Sequence, residues 1–278
     1  MGEWTSADGT RIAYRRSGEG PGTILVHGGF IDGSSMAGLV AELASSRTAV
    51  APDRRGHGDS SPYMGPHSFD DDVSDLVGLC RHLADELGDE VELVGHSAGC
   101  HVALATASTA PVSRVVLWEP PDFQAKQISP QLWDELHAAT AKGDRKAVVR
   151  LLLNDVIGAN TGMHIPWFAF PFLFRSQFGK MMLANALAAP TELAAFEDHE
   201  WHPEDLATIS VPVYPLVGST SPPFNRRFAD FVAQHVPGTR VRIVQGGKHA
   251  TPTDNPKTFA AVLTDLRQRE PNSDQAKE

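Results

Sequence analysis

Residues 91–107 read VELVGHSAGCHVALATA, and this stretch decides the fold. Val91 to Val94 form an apolar run with β-branched residues, Gly95-His96-Ser97-Ala98-Gly99 form a turn, and Cys100 to Ala107 are mostly good helix formers. The order is strand, tight turn, helix. In that setting a G-x-S-x-G pattern has a mechanical meaning. The turn is sharp enough to drive its central residue into a strained backbone conformation, and a Cβ on either glycine would clash. Ser97 then stands exposed at the tip. The five residues alone fit any strand-to-helix turn; the flanking strand and helix give the pattern its weight.

Working outward, Thr23 to Val26 is a short continuous apolar run, as expected of a strand buried on both faces of a parallel sheet. It leads into His27-Gly28-Gly29-Phe30, where a glycine pair lets backbone N–H groups approach a ligand. Nearer the amino terminus, Trp4-Thr5 and Arg11 to Arg16 flank Asp8-Gly9, a dipeptide suited to the positive φ angles of a tight hairpin. Met36 to Ala44 reads as a helix and Thr48 to Pro52 as a strand, followed by the loop Asp53 to Ser60. Gly56-x-Gly58 in that loop lacks a third glycine and opens no helix, so a dinucleotide fingerprint fails. Ser68 caps a long helix whose first turn holds Asp70, Asp71 and Asp72, an acidic cluster read as capping chemistry. Phe69, Val73, Leu76, Cys80, Leu83 and Leu87 supply its apolar face. After the turn at Ser97, Arg114 to Trp118 reads as a strand that stops at Glu119-Pro120-Pro121.

This alternation predicts an α/β fold: a doubly wound, mostly parallel sheet with flanking helices, whose functional groups gather at the carboxyl ends of the strands. His27, Ser97 and Glu119 all fall at such ends. From Pro121 the strand rhythm disappears and helices are expected over 129–141, 144–156, 175–188 and 191–197, which reads as a helical lid insertion over 121–205. The rhythm resumes with a strand at Val211 to Val217, a helix at Pro223 to His235, a strand at Arg240 to Val244 and a helix from Asn255 to about Arg267. The core domain is thus expected over 1–120 and 206–270, with a polar, disordered tail over 271–278. Inside the insertion, residues 165–174 read IPWFAFPFLF, and two prolines prevent a helix or strand assignment. An aromatic run is commonly core. In a lid, Trp167, Phe168 and Phe170, together with Phe30, are candidates to line a substrate pocket.

Composition narrows the function classes. Asp and Glu outnumber Lys and Arg 34 to 24, for a formal charge of -10, and no basic stripe exists to neutralise phosphates, so nucleic acid is not an expected partner. Two cysteines, Cys80 and Cys100, are too few for a disulfide framework and are expected to be buried thiols. The amino terminus lacks a basic start with an apolar stretch, and no segment approaches the ~20 apolar residues of a membrane span. A cytoplasmic protein, monomer or homodimer, acting on a small molecule is expected. The histidines form no H-E-x-x-H or similar metal pattern, so neither a metal nor a cofactor is called for.

Taken together, the HGG loop, the DRRGHGDS loop, the GHSAG turn, the helical insertion and a late His249 resemble the α/β-hydrolase superfamily over nearly the whole chain. The resemblance implies a nucleophile, acid and histidine in the order Ser, Asp or Glu, His. Ser97 is the nucleophile and His249, in the loop after the last expected strand, the base. The resemblance also implies that the backbone N–H groups of Gly29 and Ala98 form an oxyanion hole. One departure stands out. Most members carry the acid just after the strand matching Val211 to Val217, where this chain has Ser221, and no carboxylate occurs between Asp205 and Asp230. Some relatives carry it one strand earlier, which points to Glu119; Asp122 and Asp254 are the alternatives.

With Ser rather than Asp at position 97, the branches that form an alkyl ester on an aspartate are disfavoured. What remains is acyl transfer to water from a small, fairly apolar ester, lactone or thioester. Two other readings stay open: carbon–carbon bond hydrolysis or biosynthetic cyclisation with the same triad, and a catalytically silent binding protein, which the missing acid at Ser221 favours.

Overall fold

The structure, a computed structural model, describes residues 1–123 and 128–268. The expected tail at 271–278 lies outside the described residues. Strands β1 (Gly2–Thr5), β2 (Arg11–Ser17), β3 (Gly22–Val26), β4 (Thr48–Pro52), β5 (Val91–His96), β6 (Val112–Trp118), β7 (Val213–Gly218) and β8 (Arg242–Val244) form one sheet in the order β1-β2-β4-β3-β5-β6-β7-β8. β1 pairs antiparallel with β2, and β2 with β4; every other pair is parallel. The hairpin is wider than the sequence suggests. Its loop is closed by a Ser6 N–H to Thr10 carbonyl bond of 2.8 Å, and of the Asp8-Gly9 pair Gly9 takes the positive φ, 89°.

Core helices α1 (Ala37–Leu43), α2 (Phe69–Leu87) and α3 (Gly99–Thr106) alternate with the strands. Between β6 and β7 run α4 (Pro130–Ala141), α5 (Arg145–Leu151), α6 (Gly158–Thr161), α7 (Phe170–Leu173), α8 (Gln177–Asn185), α9 (Ala189–Asp198) and α10 (Pro203–Ala207). The chain continues with α11 (Pro223–His235), α12 (Thr251–Asp254) and α13 (Pro256–Gln268). Strand side chains alternate between two apolar layers, as the two-residue strand period requires. Ile24, Leu93, Val115 and Leu117 face α2, α3 and α11, whereas Leu25, Val94, Val116 and Trp118 face α1 and α13. A third cluster, including Leu136, Val149, Leu152, Phe170, Met182 and Leu193, holds the insertion together. Its far end rejoins the core early: Phe196, Trp201 and Leu206 pack in the first cluster.

α2 starts with a capping box between Ser68 and Asp71 and ends at Gly88, whose φ of 69° closes the helix in the left-handed region. The acidic cluster does more than the capping expected of it. Asp72 is buried and pairs with Arg54 and His67, and one turn on Asp75 pairs with Arg55. Both share the helix face of Leu76, Leu79 and Leu83, so these two carboxylates are tied to the loop after β4 instead of capping the helix. Cys80 and Cys100 are both buried and free, and burial pushes the Cys80 thiol up. Among the described residues, no helix is long and apolar enough to cross a membrane.

Candidate active site

The turn after β5 has the geometry its sequence demands. A Cβ on Gly95 would lie 2.6 Å from Cys100 Cα, and one on Gly99 2.5 Å from the Val26 carbonyl oxygen. Both contacts are to backbone, which cannot give way, so glycine is required. Ser97 sits between them at φ 53°, half-buried, with its N–H bonded to the Trp118 carbonyl at 3.0 Å. Among the described residues, the non-glycine residues with positive φ are Phe30 (64°), Ser97 (53°) and Glu119 (53°). They follow β3, β5 and β6, three adjacent central strands, at the carboxyl-end edge of the sheet. Strained backbone of this kind clusters at functional sites.

Strand register brings the acid beside the serine. In the parallel β5/β6 pair His96 lies opposite Trp118, so Ser97 and Glu119 are the next residues on neighbouring strands. The Glu119 side chain is fully buried and takes donors on both oxygens. The Gly218 N–H (2.9 Å) and the Ser221 hydroxyl donate to Oε1; the Asn225 amide (2.7 Å) and His249 Nδ1 (3.0 Å) donate to Oε2. Burial alone would raise this carboxyl, but the bonds from His249 and Ser221 outweigh it and hold the group below its ordinary value. With Nδ1–H given to the carboxylate, His249 Nε2 keeps a free lone pair. A Cβ on Gly218 would lie 2.8 Å from Glu119 Oε1, so the glycine makes room for the longer acid.

His249 is also held through its backbone. Its carbonyl accepts the His96 Nε2–H (3.0 Å) and the Trp118 Nε1–H (3.1 Å), while its side chain stays 47% exposed. Burial, with the His249 charge next, depresses His96 to about 3, so it is a neutral donor in this arrangement. The alternative acids point elsewhere. Asp122 pairs with Arg227 at 2.9 Å, and Asp254 accepts from the Thr253 hydroxyl. Ser221 donates its hydroxyl to Glu119.

Gly28, Gly29 and Ala98 crowd against the serine turn. A Cβ on Gly28 would lie 3.0 Å from Ser97 Cβ, and one on Gly29 3.7 Å from Ala98 Cβ. Of the aromatic candidates, Phe30 and Phe170 are buried in the insertion's apolar cluster, whereas Trp167 and Phe168 are 83% and 59% exposed. Trp167 to Ala169 form a 3-10 turn and Phe170 to Leu173 a single α turn, so successive rings point in different directions. Trp167 and Phe168 are thus exposed, and Phe170 packs inside the insertion.

Sequence reasoning missed several residues here. Asn225 and Gly218 complete the acid's environment, and Arg54, His57 and Glu192 form a buried ionic group beside the Gly28-Gly29 loop. A polar residue on the buried face of α11 was a usable signal for Asn225; Glu192 lies 138 positions from Arg54 and left none.

The fold matches that of an alpha/beta hydrolase from Sphaerobacter thermophilus with a TM-score of 0.79 at 28% identity, covering 96% of this chain and 100% of that one. It also matches a thermophilic esterase from Thermogutta terrifontis (TM-score 0.69, 22% identity, 96% and 97% covered), a likeness of fold alone. In sequence, the chain is 32% identical over 157 residues to the dihydrolipoyllysine-residue acetyltransferase component of an acetoin cleaving system from Cupriavidus necator. That match takes in 55% of this chain and 41% of the relative, so the chain spans less than half of that protein's length. The profile of the alpha/beta hydrolase family matches residues 23–262, most of the chain, and the chain belongs to that family.

Proposed function

We propose that this protein is a cofactor-independent serine hydrolase that cleaves a small, fairly apolar ester, lactone or thioester through an acyl-enzyme on Ser97. The observation that carries the reading is the Glu119–His249 contact at the end of β6, one strand over from Ser97. Ser97 Oγ attacks the carbonyl carbon and its proton passes to His249 Nε2, while Glu119 steadies the imidazolium. The N–H groups of Gly29 and Ala98 receive the oxyanion. His249 returns the proton to the departing alcohol or thiol, and water, deprotonated in turn by His249, releases the acid. The silent-binding reading draws its support from Ser221 in place of an acid; the donors converging on Glu119 favour the catalytic reading over it.

The test is hydrolysis of short-chain and medium-chain nitrophenyl esters by wild type, Ser97→Ala and Glu119→Gln. Activity in wild type that disappears in Ser97→Ala and falls steeply in Glu119→Gln is the expected result. If wild type and Ser97→Ala are equally inert and a fluorophosphonate fails to label Ser97, the acyl-enzyme reading is wrong.

A further inference from the structure

Glu192 belongs to the lid helix α9, yet its carboxylate ends in the core and is 1% exposed. It is paired with Arg54, lies 3.3 Å from His57 Nε2, and accepts the Phe30 N–H at 3.1 Å. A Cβ on Gly29 would sit 3.4 Å from Glu192 Oε2, so the carboxylate lies against the loop between β3 and the serine turn. None of the hydrolytic steps above uses it. Burial alone would raise this carboxyl, but Arg54 and then His57 hold it well below the ordinary range, so it is an anion at neutral pH.

Peptide geometry shows what such an anion can do. The Gly28 carbonyl and the Gly29 N–H belong to one planar trans unit and point in opposite directions, so fixing one fixes the other. The Gly28 carbonyl accepts from His27 Nδ1 at 2.7 Å and from the Arg54 guanidinium at 3.4 Å. His27 Nε2 in turn accepts the Arg54 backbone N–H at 3.0 Å. Glu192 grips this assembly twice: through the Arg54 guanidinium on one side of Gly29 and through the Phe30 N–H on the other. The second grip holds Phe30 in its left-handed conformation, which a phenylalanine adopts only when its surroundings enforce it.

We infer that Glu192 is a positioning residue for the oxyanion loop: by holding Arg54 and the Phe30 N–H it aims the Gly29 N–H at the substrate oxygen, and it does so only while α9 is docked. This inference rests on the acyl-enzyme reading of Ser97. It makes the lid part of the catalytic geometry. The lid has a second polar pin, Asn185 of α8, whose side chain bonds Asp32 and the Gly58 N–H at 3.0 Å each and the Met181 carbonyl, rather than Gly28, Gly29 or Phe30. Asn185→Ala is therefore the control for simple loosening of the lid.

Glu192→Ala should lower kcat on a nitrophenyl ester by about 100-fold, the scale of losing one oxyanion donor. KM should stay within about threefold, because the lost interaction belongs to the transition state. Affinity for a trifluoromethyl ketone, whose serine adduct carries an oxyanion, should fall by a similar factor. Because Glu192→Ala strands a buried guanidinium and puts folding at risk, the same measurements are made on Arg54→Met/Glu192→Met, which removes the clamp without an unpaired charge on Arg54. Amide hydrogen exchange at Phe30, read by NMR, should accelerate in both variants and stay slow in Asn185→Ala. A folded Glu192 variant with wild-type kcat and ketone affinity overturns the inference, as does an equal kcat loss in Asn185→Ala or an unchanged Phe30 exchange rate. Wild type that is inert and unlabelled at Ser97 sinks the acyl-enzyme reading itself, a result distinct from an active wild type whose Glu192 variants lose nothing.

Discussion

The proposed role of Glu119 makes the most exacting prediction, because its carboxylate accepts four donors and the amide of a Glu119→Gln variant cannot. If that amide turns its oxygen toward His249 and Asn225, its NH2 faces the Gly218 N–H, donor against donor, since Ser221 alone of the two can rotate to accept. A buried unsatisfied donor of that kind costs about 1–3 kcal/mol of stability. If the amide turns the other way, its NH2 faces His249 Nδ1, which must then accept. The proton moves to Nε2 and the base is lost. Either orientation also removes the negative charge that stabilises the imidazolium, so kcat should fall by about 10⁴, or ~5.5 kcal/mol in activation free energy, as for the equivalent change in a serine protease triad. Adding Ser221→Asp restores an anion beside the same carboxyl group, on its Oε1 side, so Glu119→Gln/Ser221→Asp should recover part of the loss. Ser221→Asp alone should do harm, because it sets a second carboxylate against a buried one. Initial rates on a short-chain nitrophenyl ester at neutral pH, with thermal melts to confirm folding, decide the matter. Glu119→Gln retaining more than about a tenth of wild-type kcat would refute the assignment, since the charge effect predicts a loss near 10⁴.

Three further outcomes follow from the structure. Gly95→Ala forces a Cβ to within 2.6 Å of Cys100 Cα and should cost about 3 kcal/mol, read by denaturant melts; an unchanged midpoint would mean the turn is looser than its contacts imply. Burial depresses His96 and His101 to about 3 and keeps both neutral, whereas unfolded histidines protonate near pH 6.5. Their folded values are depressed, so stability is full above the unfolded value and is lost as pH falls through the interval down to about 3, at ~1.4 kcal/mol per pH unit for each ring. Urea midpoints measured from neutral to mildly acidic pH should fall steadily, and a flat profile contradicts the burial argument. Trp167→Ser should leave kcat/KM within about twofold, as surface substitutions generally do; a large rise in KM would put that ring in the pocket after all.

Much of the fold was legible because its signals are local. The turn at Ser97 is written in two glycines and their flanks, and strand β4 was readable as Thr48–Pro52 from its apolar run and neighbours. No carboxylate occupies the loop after β7, and it was the resemblance to the α/β-hydrolases that then pointed to Glu119, with Asp122 and Asp254 left as alternatives. What could not be read were contacts whose partners lie far apart in sequence. Asp72 and Asp75 look like any acidic helix start until Arg54 and Arg55 fold onto them. The aromatic run in the insertion was hard to read for another reason: its prolines break the helical period, so sequence spacing no longer says which ring faces inward.

The left-handed residues at the ends of β3, β5 and β6 have a consequence for engineering. Each non-glycine residue in that region stores about 1–3 kcal/mol, against a net stability of about 5–15 kcal/mol for a typical fold. Substituting glycine for Phe30 or Glu119 would release that strain along with the side chain's function. Phe30 also packs in the insertion's apolar cluster and Glu119 satisfies four donors, so either glycine would lose more stability than the strain it relieves. The strain is locked in by its surroundings, and stabilising campaigns should draw their substitutions from the far side of the sheet.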